Sequence, residues 1–293
     1  MFSKLVKTAT EPGFLDLVLR LTLLELLLRP MGFWAIRASL LLIAALGLLV
    51  PRILRAPLTW LCITVIVAWE LIDAWPLPDN HIYLLCYWCL AIFLAMMSSD
   101  IHKILATNSR YLLGLTFLFA VFWKAFLSPD YLDGRFFRVT LLQDERFAHT
   151  SMLFGDLTES QLSQNREYLF PLPQGAELME PLELVEPPAL DRLAVLFTWG
   201  GLISEASLAF ILLIPLPVRY QFLRHLLLLG FCILTYAFAP VAGFGWLLLV
   251  MGLALCTENQ QKWRLAYFAT YLLILLYSEI PWTRLIYNLV PNA

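Results

Sequence analysis

The residue best suited to chemistry in this chain is a lysine at the end of an apolar stretch. Lys124 closes the run Tyr111-Leu112-Leu113-Gly114-Leu115-Thr116-Phe117-Leu118-Phe119-Ala120-Val121-Phe122-Trp123, about one helical turn before Ser128-Pro129-Asp130. An ammonium inside a bilayer segment costs several kcal/mol unless it is paired, hydrated or neutralised. Burial lowers the pKa of a lysine and so turns an inert cation into a proton acceptor near neutral pH. Snorkelling, with the stem lifting the amine to the headgroups, is the competing account of the same position. Asn80-His81 is the second polar element. Beside a lysine, a neutral imidazole and a carboxamide can hold an oxyanion, orient a substrate or tune the amine. An interfacial histidine with no task is the simpler account of His81. Glu205, on the helix after Gly200-Gly201, is a candidate partner for Lys124 or for an arginine.

The elements that must position these groups are membrane helices. Apolar residues make up 60% of the chain, charged residues only 14%, and mean hydropathy is +0.75, outside the range of soluble domains. Apolar stretches of spanning length recur along nearly the whole sequence, which predicts an all-α, polytopic membrane helix bundle. About nine spans are expected, over 14–29, 33–50, 57–74, 80–98, 109–127, 190–214, 219–238, 241–257 and 263–280. Pro30, Pro51, Pro76, Pro78 and Pro240 punctuate them. The first span carries Arg20 and Glu25 and is short, so an interfacial amphipathic helix stands beside a true span for 14–29. Arg37, Glu70 and Asp73 are further charges in or at the edge of spans. Arg20 and Glu25 are five apart, a poor match to helical pairing, which points to partners on other helices.

Counting every span puts Lys4, Lys7, Arg52, Arg55, Lys103, Arg110, Arg219, Lys262 and Arg264 on one side, the cytoplasmic one. The N-terminus is then inside and the C-terminus outside. Residues 1–13 lack the pattern of a cleaved signal peptide, so the first helix is expected to stay as an anchor. The long acidic segment 128–190 falls on the extracytoplasmic side, as do the start of span 80–98 and the end of span 109–127. Asn80, His81 and Lys124 therefore come to similar depth on spans expected to pack side by side.

Segment 128–190 reads as a loop or lid within a single membrane domain, 1–293, because about sixty residues cannot build a large core of their own. Thr158 and Gln161 have capping-box spacing, which predicts a short helix there. Phe170 to Pro188 is rich in Pro and Glu and reads as an extended strap. Glu177, Glu180, Glu183 and Glu186 recur every third residue, a solvated acidic face rather than a calcium loop. The five cysteines all lie in apolar runs, which favours packed thiols; Cys86 and Cys89 have no second pair at zinc spacing, so no metal is expected. Net charge of −2 without a dense basic run excludes nucleic acid as a partner class.

Asp79-Asn80-His81-Ile82-Tyr83-Leu84, then Phe117 to Lys124, then Pro129-Asp130-Tyr131-Leu132-Asp133-Gly134 together resemble the horizontally transferred transmembrane domain family, which contains the vitamin K-dependent gamma-glutamyl carboxylases. Gly200-Gly201-Leu202 with Glu205 is similar to that family's next membrane helix. The resemblance implies that Lys124 is the catalytic base, with Asn80 and His81 as its polar support. The resemblance also implies that the cofactor is a reduced quinone such as vitamin K hydroquinone or menaquinol; aromatic surroundings suit its flat ring, and Tyr83, Phe122, Trp123 and Glu205 are the expected cofactor-binding residues. The chain departs from the carboxylases in three places. Trp123 stands where they have a second lysine, Thr235-Tyr236-Ala237-Phe238 stands where they have a later histidine, and a large lumenal domain is not part of this sequence. Carboxylation of a propeptide-bearing protein is therefore not expected.

Two functions follow from these residues. One is a lyase-like or quinol-dependent enzyme of the bacterial inner membrane, with Lys124 abstracting a proton at the outer leaflet. The other is a non-catalytic membrane module in which Lys124 anchors a lipid headgroup and the acidic loop docks an extracytoplasmic protein. Transport ranks third, because neither internal repeats nor broken mid-membrane helices are visible. Membrane lipids are partners under every reading.

Overall fold

The structure, a computed structural model, describes residues 15–76, 80–170, 183–238, 243–257, 259–279 and 282–289. Lys4, Lys7, Pro78, Asp79, Glu177, Glu180 and Pro240 lie outside the described residues. Among the described residues every regular element is a helix and there is no strand. The larger helices are α1 (Leu15–Leu28), α2 (Trp34–Leu49), α4 (Pro57–Asp73), α5 (Asn80–Met96), α6 (Ile101–Phe122), α11 (Pro188–Leu213), α12 (Phe222–Phe238), α13 (Phe244–Ala254) and α14 (Gln261–Glu279). Short helices fill the remainder: α3 (Pro51–Leu54), α7 (Pro129–Leu132), α8 (Arg135–Gln143), α9 (Ala148–Phe154), α10 (Glu159–Leu169) and α15 (Trp282–Leu289).

Three helical stretches, Ile101–Leu127, Pro188–Leu213 and Val218–Phe238, are long and apolar enough to cross a membrane. Trp34–Leu49, Asn80–Met96 and Phe244–Ala254 are apolar but shorter. Local chemistry sets the boundaries. Pro51, Pro57 and Pro129 each open a helix, where a missing N–H has no cost. Helix α6 begins eight residues before its expected span, because Asp100 accepts the Lys103 N–H at 3.1 Å and caps a polar first turn that hydropathy passes over.

Contacts divide the chain into two compact units, where one membrane domain was expected. The first comprises Met1–Phe117, Leu208–Tyr236 and Val241–Leu276, through their described residues. Its centre is α13, buried from Gly245 to Ala254 on every face, as befits a helix apolar all round. The Tyr267 ring sits where a Cβ on Gly252 would stand, so glycine lets the two helices close. Polar side chains in this core are satisfied by backbone: Ser109 Oγ donates to Met251 O at 2.5 Å, and Tyr271 OH donates to Leu21 O at 3.2 Å. Arg20 finds its partner on another helix, donating to Leu48 O at 2.8 Å. Helix α1 buries Leu17, Val18, Leu19, Leu21, Thr22, Leu23, Glu25 and Leu26, so it is enclosed around its circumference instead of presenting one wet face. Of the five cysteines, all free thiols, Cys62 alone is exposed.

The second unit comprises Leu118–Ser207, Ala237–Pro240 and Tyr277–Ala293, again through their described residues. The described part of segment 128–190 is largely helical, from Pro129 to Leu169. Leu141, Leu142, Phe147, Leu157 and Leu162 share a small core with Leu190, Leu193 and Ala194 of α11. The segment thus completes a core by using α11, a helix long and apolar enough to cross a membrane, which an argument from loop length alone overlooks. Thr158 caps α10 by the expected reciprocal pair, with Gln161 N donating to Thr158 Oγ1 at 3.3 Å and Thr158 N to Gln161 Oε1 at 2.9 Å. Asn165 then holds the chain just before α11 through two 2.8 Å bonds to the Val185 backbone.

Candidate functional site

Helix α6 does not end as an α-helix. Trp123–Leu127 winds as a π turn, and Ser128 leaves helical geometry at φ −127°, ψ 82° ahead of Pro129. A proline cannot continue the ladder and disfavours helical geometry in the residue before it, so the axis must stop here. A π turn accommodates one extra residue and re-aims the side chains on it, and such turns are frequent at functional sites. Lys124 is on this turn.

Its ammonium meets Glu205 of α11, with Nζ donating to Oε1 at 2.5 Å and to Oε2 at 2.7 Å. The lysine side chain is 24% exposed and the glutamate 13%, so the pair is largely withdrawn from water. Tyr131, on α7, provides the third group. Nζ lies 4.9 Å from the centroid of its ring, within cation–π range. Gly134, in the left-handed region at φ +82°, turns the chain from α7 into α8. Phe136 and Phe137 of α8 then hold the tyrosine ring at centroid separations of 5.5 and 5.7 Å.

The Tyr131 hydroxyl is buried and has no hydrogen-bond partner among the described residues. It points at Gly201, one helical turn before Glu205, so the two α11 positions share a face. Burial, and then the charge of Glu205, push this phenol well above its ordinary range and keep it a proton donor. The second unit thus assembles an ammonium, a carboxylate and an unengaged hydroxyl around one point. Tyr131 has no role in the sequence reading. The turn Pro129 to Gly134 was visible there, but not that the ring folds back onto the preceding helix.

The other sequence candidates have separate surroundings. Phe122 and Trp123 are exposed, 49% and 62%, and Phe122 stacks on Phe126 at 5.2 Å. They face outward from α6 and do not enclose the amine. Tyr83 is half-buried on α5. Asn80 opens α5 and is exposed, while His81 is half-buried and stacks on Phe244 with centroids 4.4 Å apart. His81 also lines a cavity of about 220 Å³ with Glu25, Arg29, Pro30, Met31, Ile82 and Leu85. Glu25 is 4% exposed and its Oε2 has no hydrogen-bond partner among the described residues. Asn80 and His81 belong to the first unit and Lys124 to the second. Tyr236, within the segment where the carboxylases have a histidine, accepts the Gly245 N–H and packs against α13. Among the described residues no group of three or more His, Cys, Asp or Glu is placed to hold a metal ion.

This chain matches no protein-family model, no curated protein and no solved structure.

Proposed function

We propose that the chain is an integral membrane enzyme in which the Lys124–Glu205 pair takes a proton from a lipid-soluble substrate. The nine expected spans, in a bacterial inner membrane with the N-terminus cytoplasmic and segment 128–190 extracytoplasmic, form part of this proposal. Exposed apolar residues along the helices, among them Leu42, Val65, Phe119, Ile203, Phe210 and Leu234, support it as surface that lipid would cover.

One observation carries the choice of proton transfer over anion capture: the charge of Lys124 is already matched by Glu205 within hydrogen-bond distance. An anchor for a headgroup phosphate needs an uncompensated cation, whereas an incoming anion here would meet the Glu205 carboxylate. A low-polarity ion pair can instead store a proton. The reacting form of the pair is the neutral one, Lys124 amine beside Glu205 carboxylic acid, reached by moving the shared proton along their hydrogen bond. Taking a second makes it ammonium and neutral acid, a net positive charge that balances the oxyanion left on the substrate. The unengaged Tyr131 hydroxyl is the donor available to that oxyanion.

The resemblance to the carboxylase family suggests a reduced quinone, whose weakly acidic hydroxyl is the chemistry such a pair can use. Outward-facing Phe122 and Trp123 suit an aromatic ligand arriving from lipid, and Tyr131 suits a hydroxyl at the site.

The test is a variant series in membranes, assayed in air-saturated buffer for oxidation of menaquinol or vitamin K hydroquinone, with dioxygen as the electron acceptor. Lys124→Ala and Lys124→Arg should each lower turnover by at least about a hundredfold with insertion unchanged, since arginine keeps the charge but does not deprotonate. Activity retained by Lys124→Arg would remove the proton-transfer role.

A further inference from the structure

The first unit contains a second polar cavity, distinct in residues and chemistry from the groups above. It measures about 470 Å³ and lies where the first turns of α6 meet the start of α12 and the end of α13, lined by Asp100, His102, Lys103, Arg110, Arg224 and Thr257 among others. Three permanent cations, Lys103, Arg110 and Arg224, face one carboxylate. That carboxylate, Asp100, is occupied in capping α6 through the Lys103 N–H.

Among the described residues neither the Arg110 nor the Arg224 guanidinium forms an ion pair with a carboxylate. Arg224 uses Nε and Nη2 to hold Ile211 O and Ile214 O, both at 2.9 Å, which satisfies carbonyls at the end of α11. Arg224 and Arg110 line the same cavity, which brings two guanidiniums to one space. Arg110 lies with Cζ 4.7 Å over the Tyr111 ring, and its Nε is shut off from solvent without a hydrogen-bond partner among the described residues. A buried N–H without a partner on one guanidinium, beside a second guanidinium, is a place where an anion's oxygens would add hydrogen bonds and offset like charge. Arg264 donates to Thr257 O at 2.8 Å and so fixes one wall of the cavity.

From this geometry we infer that the cavity is a phosphate-binding site. A tetrahedral anion with several oxygens can meet the two guanidiniums and the Lys103 amine at once, and planar forks match phosphate oxygens in pairs. Basic pockets at the ends of membrane helices take phospholipid headgroups in this manner. A free phosphate presents the same oxygens, so the source is settled by the ligand offered. This site is independent of the proton-transfer proposal, because it shares no residue with it.

Full-length protein, delipidated in mild detergent, is offered phosphatidylglycerol, phosphatidylcholine or inorganic phosphate, with bound lipid read by native mass spectrometry and the melting midpoint by fluorescence. Wild type should retain phosphatidylglycerol in preference to phosphatidylcholine, and Arg110→Gln should cut that retention about fivefold. Lys103→Gln, at an exposed position, should cut it by a similar factor and serves if Arg110→Gln does not fold. Lys262→Gln, a basic change outside the cavity, should leave retention unchanged. A midpoint raised by inorganic phosphate and abolished by these variants, without lipid retention, would assign the free anion. Wild type and the cavity variants behaving alike with every ligand overturns the site.

Discussion

Lys124 and Glu205 stand out from residue type alone, since a charge in an apolar run demands an explanation. Their pairing at 2.5 Å was one of several options open to the sequence, because Glu205 could equally have met an arginine. Tyr131 was hidden for a physical reason: its position depends on a π turn and on Phe136 and Phe137, none of which leaves a periodic signature. Its hydroxyl separates a ligand-facing role from a structural one. A buried hydroxyl without a partner costs about 1–3 kcal/mol relative to a matched apolar group. Tyr131→Phe should therefore hold or raise the melting midpoint while lowering turnover about tenfold. Loss of stability together with activity would show that the hydroxyl is bonded within the fold.

At the scale of elements, helices in apolar segments were legible and their ends less so. Hydropathy reports where side chains are apolar, whereas caps decide where a helix begins, which is why α6 starts at Ile101. The turn that leads into α9 offers a test through pH. Asp144 accepts the Arg146 N–H at 3.0 Å and pairs with its guanidinium, and that bonding holds its carboxyl below the ordinary range. A carboxyl lowered on folding stabilises the native state above its unfolded pKa, near 4, and loses that contribution as pH falls through the folded value. Asp144→Asn should thus cost about 0.5–1 kcal/mol at neutral pH, modest because Arg146 is half exposed. The gap between variant and wild type should shrink as pH falls below the unfolded value and close once the folded-state carboxyl is protonated, in melting curves recorded against pH. A gap that persists in acid would mean that the charge contributes nothing.

At the scale of the molecule, an all-helical chain follows from composition and periodicity, because apolar runs of this length leave backbone groups no other internal solution. Two units do not follow. Leu141, Leu142, Phe147 and Leu162 look too few for a core until Leu190, Leu193 and Ala194 of α11 are added, and that addition is long-range. The centre of the first unit is equally invisible in sequence, because α13 reads as another short apolar helix. Its all-round burial depends on glycine positions that admit aromatic rings from neighbouring helices. Gly252→Ala places a methyl group against the Tyr267 ring, with Leu228 close by, so one of these side chains or α13 itself must move. Overpacking of this kind costs about 1–3 kcal/mol. The variant should melt several degrees lower in detergent, and Tyr267→Leu in the same chain should recover part of the loss by vacating the space. The recovery has to outweigh the missing bond between Tyr267 OH and His225 Nδ1, 3.1 Å apart, so a double-mutant cycle with Tyr267→Leu alone supplies the comparison. A strongly positive coupling would establish that α13 is held by direct contact with α14, whereas strict additivity would mean that the two helices are not in van der Waals register at Gly252.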